Sequence, residues 1–181
     1  MKLKALSLIT GVVAITLVGI VPVFAQSTTT MTDSHIAKIK MNCQTARASL
    51  SQIHANDAPV YINRNQTYFS IGDKMMATLN SRLSLNRYDA SQLVKTASDY
   101  NDSVGQFRNA YRSYDNAMTT AINTDCMKQP VGFYDSVAAA RAARQKVHDI
   151  VVKLTSEISQ YRSEVRAFEA KNLSSPTEGR P

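Results

Sequence analysis

The stretch Leu93–Ile122, LVKTASDYNDSVGQFRNAYRSYDNAMTTAI, decides the fold. Leu93, Ala97, Tyr100, Val104, Phe107, Tyr111, Tyr114 and Met118 are separated alternately by four and three residues. That spacing places all of them on one face of a single helix, and such a stripe packs against other helices to leave water.

Downstream, Cys126 to Gln129 form a short connection, and Pro130 suits the first turn of a new helix, where its missing N–H costs nothing. Phe133, Val137, Ala140, Arg144, Val147, Val151, Leu154, Ile158, Tyr161, Val165 and Phe168 continue the same spacing, with Arg144 the one polar member. Asn172 ends this helix, and 173–181 is expected to be a disordered polar tail.

Upstream, Asp89 with Gln92 three residues later has the form of a capping box that opens the Leu93 helix. Tyr68, Ile71, Met75, Met76, Leu79 and Leu83 predict a helix that ends near Asn86-Arg87. Ile36, Ile39, Cys43, Ala46, Leu50 and Ile53 predict the first helix, with Thr32 or Asp33 as its N-cap. Between these two, Asp57-Ala58-Pro59 predicts a kink, because Pro disfavours helical geometry in the residue before it. Residues 60–67 are compatible with a bend, a short extended piece or an early helical turn.

The expected fold is therefore all-α: an elongated antiparallel bundle of three legs with coiled-coil-like packing, the first leg kinked into two helices. A compact four-helix bundle, with the first helix folded beside the second, is the alternative. Residues 32–172 would form the one bundle domain. Reflection about the Asn86–Asp89 turn brings Cys43 and Cys126 to the same end, where an exported chain would join them in a disulfide. Closing so long a loop is worth on the order of 4 kcal/mol on chain-entropy grounds.

Export is read from the first residues. Lys2 and Lys4 precede an apolar run from Ala5 to Val21, and Val23 and Ala25 supply the small residues of a cleavage site. Residues 1–25 are thus a signal peptide cleaved after Ala25 or, alternatively, an uncleaved anchor able to contact the membrane, and 26–31 a flexible leader. The chain carries 21 basic and 14 acidic residues, +7 in all; without Lys2 and Lys4 the balance is +5. That excess favours an anionic surface polymer or membrane as partner, and export disfavours nucleic acid.

Arg144 is the residue that departs from its stripe. A buried guanidinium needs a hydrogen-bonded partner, and the register of the helices offers Asp57 and Asp115 for a buried ion pair. The alternative is an Arg144 that carries its charge out to solvent at the bundle edge.

Signatures of catalysis and cofactor binding are missing. His35, His54 and His148 are far apart and read as exposed helix-surface residues, without metal-ligand spacing. Neither a haem-attachment motif, a phosphate loop nor a nucleophile elbow occurs. The expectation is no enzyme, no metal and no cofactor. Tyr68, Tyr100, Tyr111, Tyr114 and Tyr161 make the core unusually tyrosine-rich and read as packing residues whose hydroxyls reach polar neighbours.

Leu79-Asn80-Ser81-Arg82-Leu83, Asp125-Cys126, Pro130, Phe133-Tyr134 and the pair Arg141 and Arg144 together resemble a group of exported helical proteins from candidate-phylum bacteria. That resemblance implies an exported bundle and no particular activity. Two functions are compatible with these features: a structural or protein-interaction module at the cell envelope, or a bundle that binds a small ligand or a client protein. In the second case the chain is similar to the Skp envelope chaperones in being basic, exported and helical, but it lacks their strand-rich oligomerisation body.

Overall fold

A computed structural model of the protein describes residues 31–172, and among these there is no strand. The signal or anchor segment 1–25, nearly all of the leader and the tail 173–181 lie outside the described residues. The elements are α1 (Asp33–Met41), α2 (Cys43–Ser70), a π-helical turn (Ile71–Met76), α3 (Ala77–Leu85), α4 (Ser91–Asn123) and α5 (Pro130–Asn172). The all-α bundle is present, and its legs run antiparallel. The first leg is Cys43–Leu85, the second is α4 and the third is α5, whose 43 residues make a rod of about 65 Å.

The first leg is not kinked where Pro59 predicts. Helix α2 runs through it without a break. Pro59 and Ala55, whose carbonyl the missing N–H would have bonded, are both exposed, so water can take the place of the lost bond. The irregularities lie at either end of α2 instead. At Asn42 the backbone leaves helical geometry (φ −97°, ψ 6°), and its side-chain amide donates to the Lys38 carbonyl at 2.9 Å. This break separates α1, which packs on α5, from α2, which packs on α4.

The second irregularity is the π turn. Gly72 within it is buried against α4, where a Cβ would meet the Asn101 side-chain oxygen and the Tyr100 ring. Tyrosine hydroxyls from both other legs bond carbonyls around it: Tyr100 donates to the Tyr68 carbonyl at 3.0 Å and Tyr161 to the Met76 carbonyl at 3.2 Å. Past α3 the chain reverses through Arg87, a non-glycine residue at φ 61°. Arg87 N–H bonds the Ser84 carbonyl and Tyr88 N–H the Leu83 carbonyl, the paired pattern that closes a helix through a left-handed residue.

Thr32 caps α1 through the His35 N–H, as predicted. The start of α4 departs from prediction: Ala90 occupies the cap position, because Asp89 Oδ1 accepts from Ser91 N–H at 3.1 Å and forms a tight turn one residue early. The Ser91 N–H and then its hydroxyl hold the Asp89 carboxyl below its usual range.

All eight residues of the opening stripe are buried. Beside it α4 carries a second row that hydrophobicity does not reveal: Thr96, Ser103, Ala110 and Ala117, seven residues apart. Across from it, α5 presents Glu164, Glu157, Ile150 and Ala143 at the same spacing. Thr96 donates to Glu164 Oε1 and Ser103 to Glu157 Oε1, each at 2.9 Å. Polar layers thus meet polar layers, and the small side chains let α5 settle closely on α4 along most of its length.

Cys43 and Cys126 are joined, with Cα atoms 5.6 Å apart, inside a cluster with Phe133 and the flanking Ile39, Leu50 and Val137. Next to the bond, Arg47 Nε donates to the Ile122 carbonyl at 3.0 Å and places a cation at the C-terminal end of α4. A disulfide of this kind belongs to an oxidising, extracytoplasmic compartment. Among the described residues no helix is long and apolar enough to cross a membrane.

Candidate functional site

The first leg and α5 both rest on α4, yet they stay apart. No Cα of Cys43–Leu85 comes within 8 Å of a Cα of α5. The reason lies in the side chains that α4 sends toward them. Toward α5 it presents the small row, whereas toward α2 it presents Tyr100, Phe107, Tyr111 and Tyr114. Phe107 meets Tyr68 edge to face at 5.2 Å between centroids, and Tyr111 stacks on Tyr61 at 3.7 Å and 5°. These rings fill the angle between the legs and act as a wedge.

Two cavities open along this seam. The first, about 430 Å³, lies between residues 57–64 of α2 and 141–151 of α5. Its floor consists of Tyr61, Phe107, Tyr111 and Tyr114, and Arg64, Arg141, Arg144 and His148 line it with Asp57. The second, about 450 Å³, is apolar, walled by Ile71, Met75, Leu79 and Ile158 with Arg162 and Arg166 among its lining residues. Side chains cross the seam as well: Tyr161 donates to Asn80 Oδ1 at 2.8 Å, and Arg144 faces Asp57.

The predicted ion pair is rearranged at this site. Arg144 Nη2 lies 3.4 Å from Asp57, but its side chain is 60% exposed, so the pair sits at the edge of the groove rather than in the core. The physical reason is the missing contact between α2 and α5: stripe position 144 faces an opening. Asp115 has no part in the pair; it bonds His54 Nε2 at 2.7 Å. His54 is consequently half-buried and bonded to Asp115, not the exposed helix-surface residue predicted. His35 and His148 are exposed. No group of three or more His, Cys, Asp or Glu that could hold a metal occurs among the described residues.

The tyrosine hydroxyls have separate fates. Tyr114 donates to Asp57 Oδ2 at 2.5 Å, and burial together with that carboxylate pushes its ionisation well above the ordinary tyrosine range. Tyr161 is raised to about 12, chiefly by burial. Tyr111 is buried too, and its hydroxyl has no hydrogen-bond partner. Burial, then the nearby Asp115 and Asp57, disfavours its ionised form. Such an orphaned donor is uncommon inside a folded protein.

Sequence reasoning missed Tyr61, Arg64 and His148 as members of this site. Tyr61 and Arg64 fall in the segment after Pro59, where no periodicity could be assigned, and His148 lies beside the stripe. The available signal was Arg144 itself, with Arg141 one turn before it. Compared against protein-family models, curated proteins and solved structures, the chain matches none of them.

Proposed function

We propose that this protein is an exported, non-catalytic binding module of the cell envelope, and that its working surface is the seam between the first leg and α5. The observation that carries this reading is the cavity of about 430 Å³ that stays open where the backbones of two legs resting on one helix stay more than 8 Å apart. Its size is that of a small-molecule site, and its lining combines apolar surface with a few convergent polar groups. The signal-like residues 1–25 and the disulfide support export, as does the resemblance to exported helical proteins. Between the two expected functions, ligand binding accounts for the open seam, which a purely structural rod has no reason to keep.

A second reading, contact with an envelope protein or an anionic surface polymer, is supported by a different end of the molecule. Met127, Val131 and Tyr134 are all at least 42% exposed around the turn into α5, beside the disulfide. Scattered single apolar residues are ordinary, but these three fall within eight residues of one another at one end of α5.

The test is native mass spectrometry of the protein purified from its own envelope fraction, before and after denaturation. A bound small molecule released on unfolding supports the first reading. A bare protein that instead crosslinks to one envelope protein or polymer would replace it with the second.

A further inference from the structure

We infer that the tyrosine-floored cavity takes a small molecule that carries one anionic group on a flat apolar body. This inference rests on the ligand-binding reading above and names the chemistry of its ligand. It begins with a charge imbalance. Arg64, Arg141 and Arg144 converge on the cavity from two legs, and Asp57 is the one carboxylate among the lining residues. Asp57 is already engaged by the Tyr114 hydroxyl and Arg144. Among the described residues, neither Arg64 nor Arg141 has a carboxylate within 4 Å. Two unneutralised guanidinium groups at the mouth of an apolar cavity suit a carboxylate, sulfonate or phosphate, which a planar fork of donors grips in two places.

The shape of the floor selects the rest of the molecule. The stacked pair Tyr61 and Tyr111, with Phe107 and Tyr114 beside it, offers aromatic surface to a flat ring system, where offset or edge contacts are favourable. The partnerless hydroxyl of Tyr111, more than nine-tenths buried as a residue, belongs to the same wall. A free inorganic anion would leave that apolar floor uncovered, and a neutral aromatic molecule would leave the arginines unused.

Calorimetric titration of the purified protein with 2-naphthoate and with its neutral isostere, naphthalene-2-carboxamide, tests the inference. The expected result is saturable binding of the naphthoate at least tenfold tighter than that of the carboxamide. The double variant Arg64→Gln/Arg141→Gln should lose that preference while it keeps the parent melting temperature, since both side chains belong to exposed residues. The single variant Arg141→Gln, expected to lose part of the preference, serves if the double variant fails to fold. Equal affinity for both probes would overturn the anionic chemistry, and a preference that survives the variants would overturn its assignment to Arg64 and Arg141, but either leaves a ligand-binding cavity standing. If neither probe binds up to millimolar concentration, the inference fails, and the copurification experiment alone then decides whether the cavity holds a ligand.

Discussion

Helix α5 takes part in two seams, and they are built on opposite rules. Against α4 it meets a row of small residues, Thr96, Ser103, Ala110 and Ala117, so the backbones approach and one carboxylate oxygen each of Glu157 and Glu164 takes a hydroxyl of α4, while the other stays buried without a partner. Toward the first leg no backbone approach occurs, and long side chains such as Tyr161 and Arg144 bridge the gap instead, because the aromatic side chains of α4 hold α2 away. The difference shows that side-chain size on one central helix can decide which of its neighbours touch. It also shows why the one arginine in the α5 stripe is tolerated: its position faces the seam that stays open.

The largest effect is expected from the clamp that keeps the first leg in place. Cys43→Ser with Cys126→Ser should lower stability by about 4 kcal/mol in denaturant titration. Hydrogen exchange should then quicken in α1 and α2 well before α4 and α5. Uniform quickening of all legs would mean that the two seams are not independent.

Overpacking the closed seam comes next. Ala110→Leu should cost about 2 kcal/mol, as extra volume forces α4 and α5 apart. An unchanged midpoint of unfolding would show that this seam has slack, and the contrast with the open one would lose its basis.

The buried carboxylate in the closed seam gives a smaller, pH-dependent effect. Burial raises the pKa of Glu157 above its ordinary value, only partly opposed by the Ser103 hydroxyl and Lys153. A raised folded-state pKa means a contribution to stability that is complete below the unfolded value. It is lost as pH rises through the folded one. Glu157→Gln keeps an acceptor for Ser103 and should raise stability at pH 7 by about 1 kcal/mol. The gain should vanish near pH 4, as thermal melts at the two pH values would show. A loss of stability at pH 7 would indicate that the charge is favourable where it lies.

The smallest effect belongs to the open seam. Arg144→Leu should change stability by no more than about 0.5 kcal/mol, since Arg144 is largely solvated and Asp57 keeps its bond from the Tyr114 hydroxyl. A loss of several kcal/mol would show that Arg144 and Asp57 form a buried pair after all.

The parts of this fold that were legible in the sequence are those that depend on helical periodicity. The α4 stripe, the α5 stripe, the Thr32 cap, the turn near Asn86-Arg87 and the end-to-end meeting of Cys43 and Cys126 all follow from spacing and chain reversal. The continuity of α2 was not legible, because a proline rule is local and cannot tell that Pro59 faces water. Nor was the π turn, which is associated with the close packing of Gly72 on Tyr100 in a residue nearly thirty positions away. Of the site, Arg144 and its partner Asp57 were visible as a break in pattern and a register match. Their exposure, and the pairing of Asp115 with His54, depend on how far α2 stands from α5.

By itself, then, the amino-acid order determined that the chain is helical, which faces are apolar, where the legs reverse and which two cysteines can meet. Those properties arise from interactions between residues close in sequence, or from the length of rigid rods joined by short turns. Tertiary structure alone decided that α4 seats α5 closely on its small row and, with its aromatic row, holds α2 away from α5. It thereby decided that a cavity exists and that arginines from two legs face it. Such outcomes depend on the volumes of side chains brought together across long stretches of sequence, which no local pattern records.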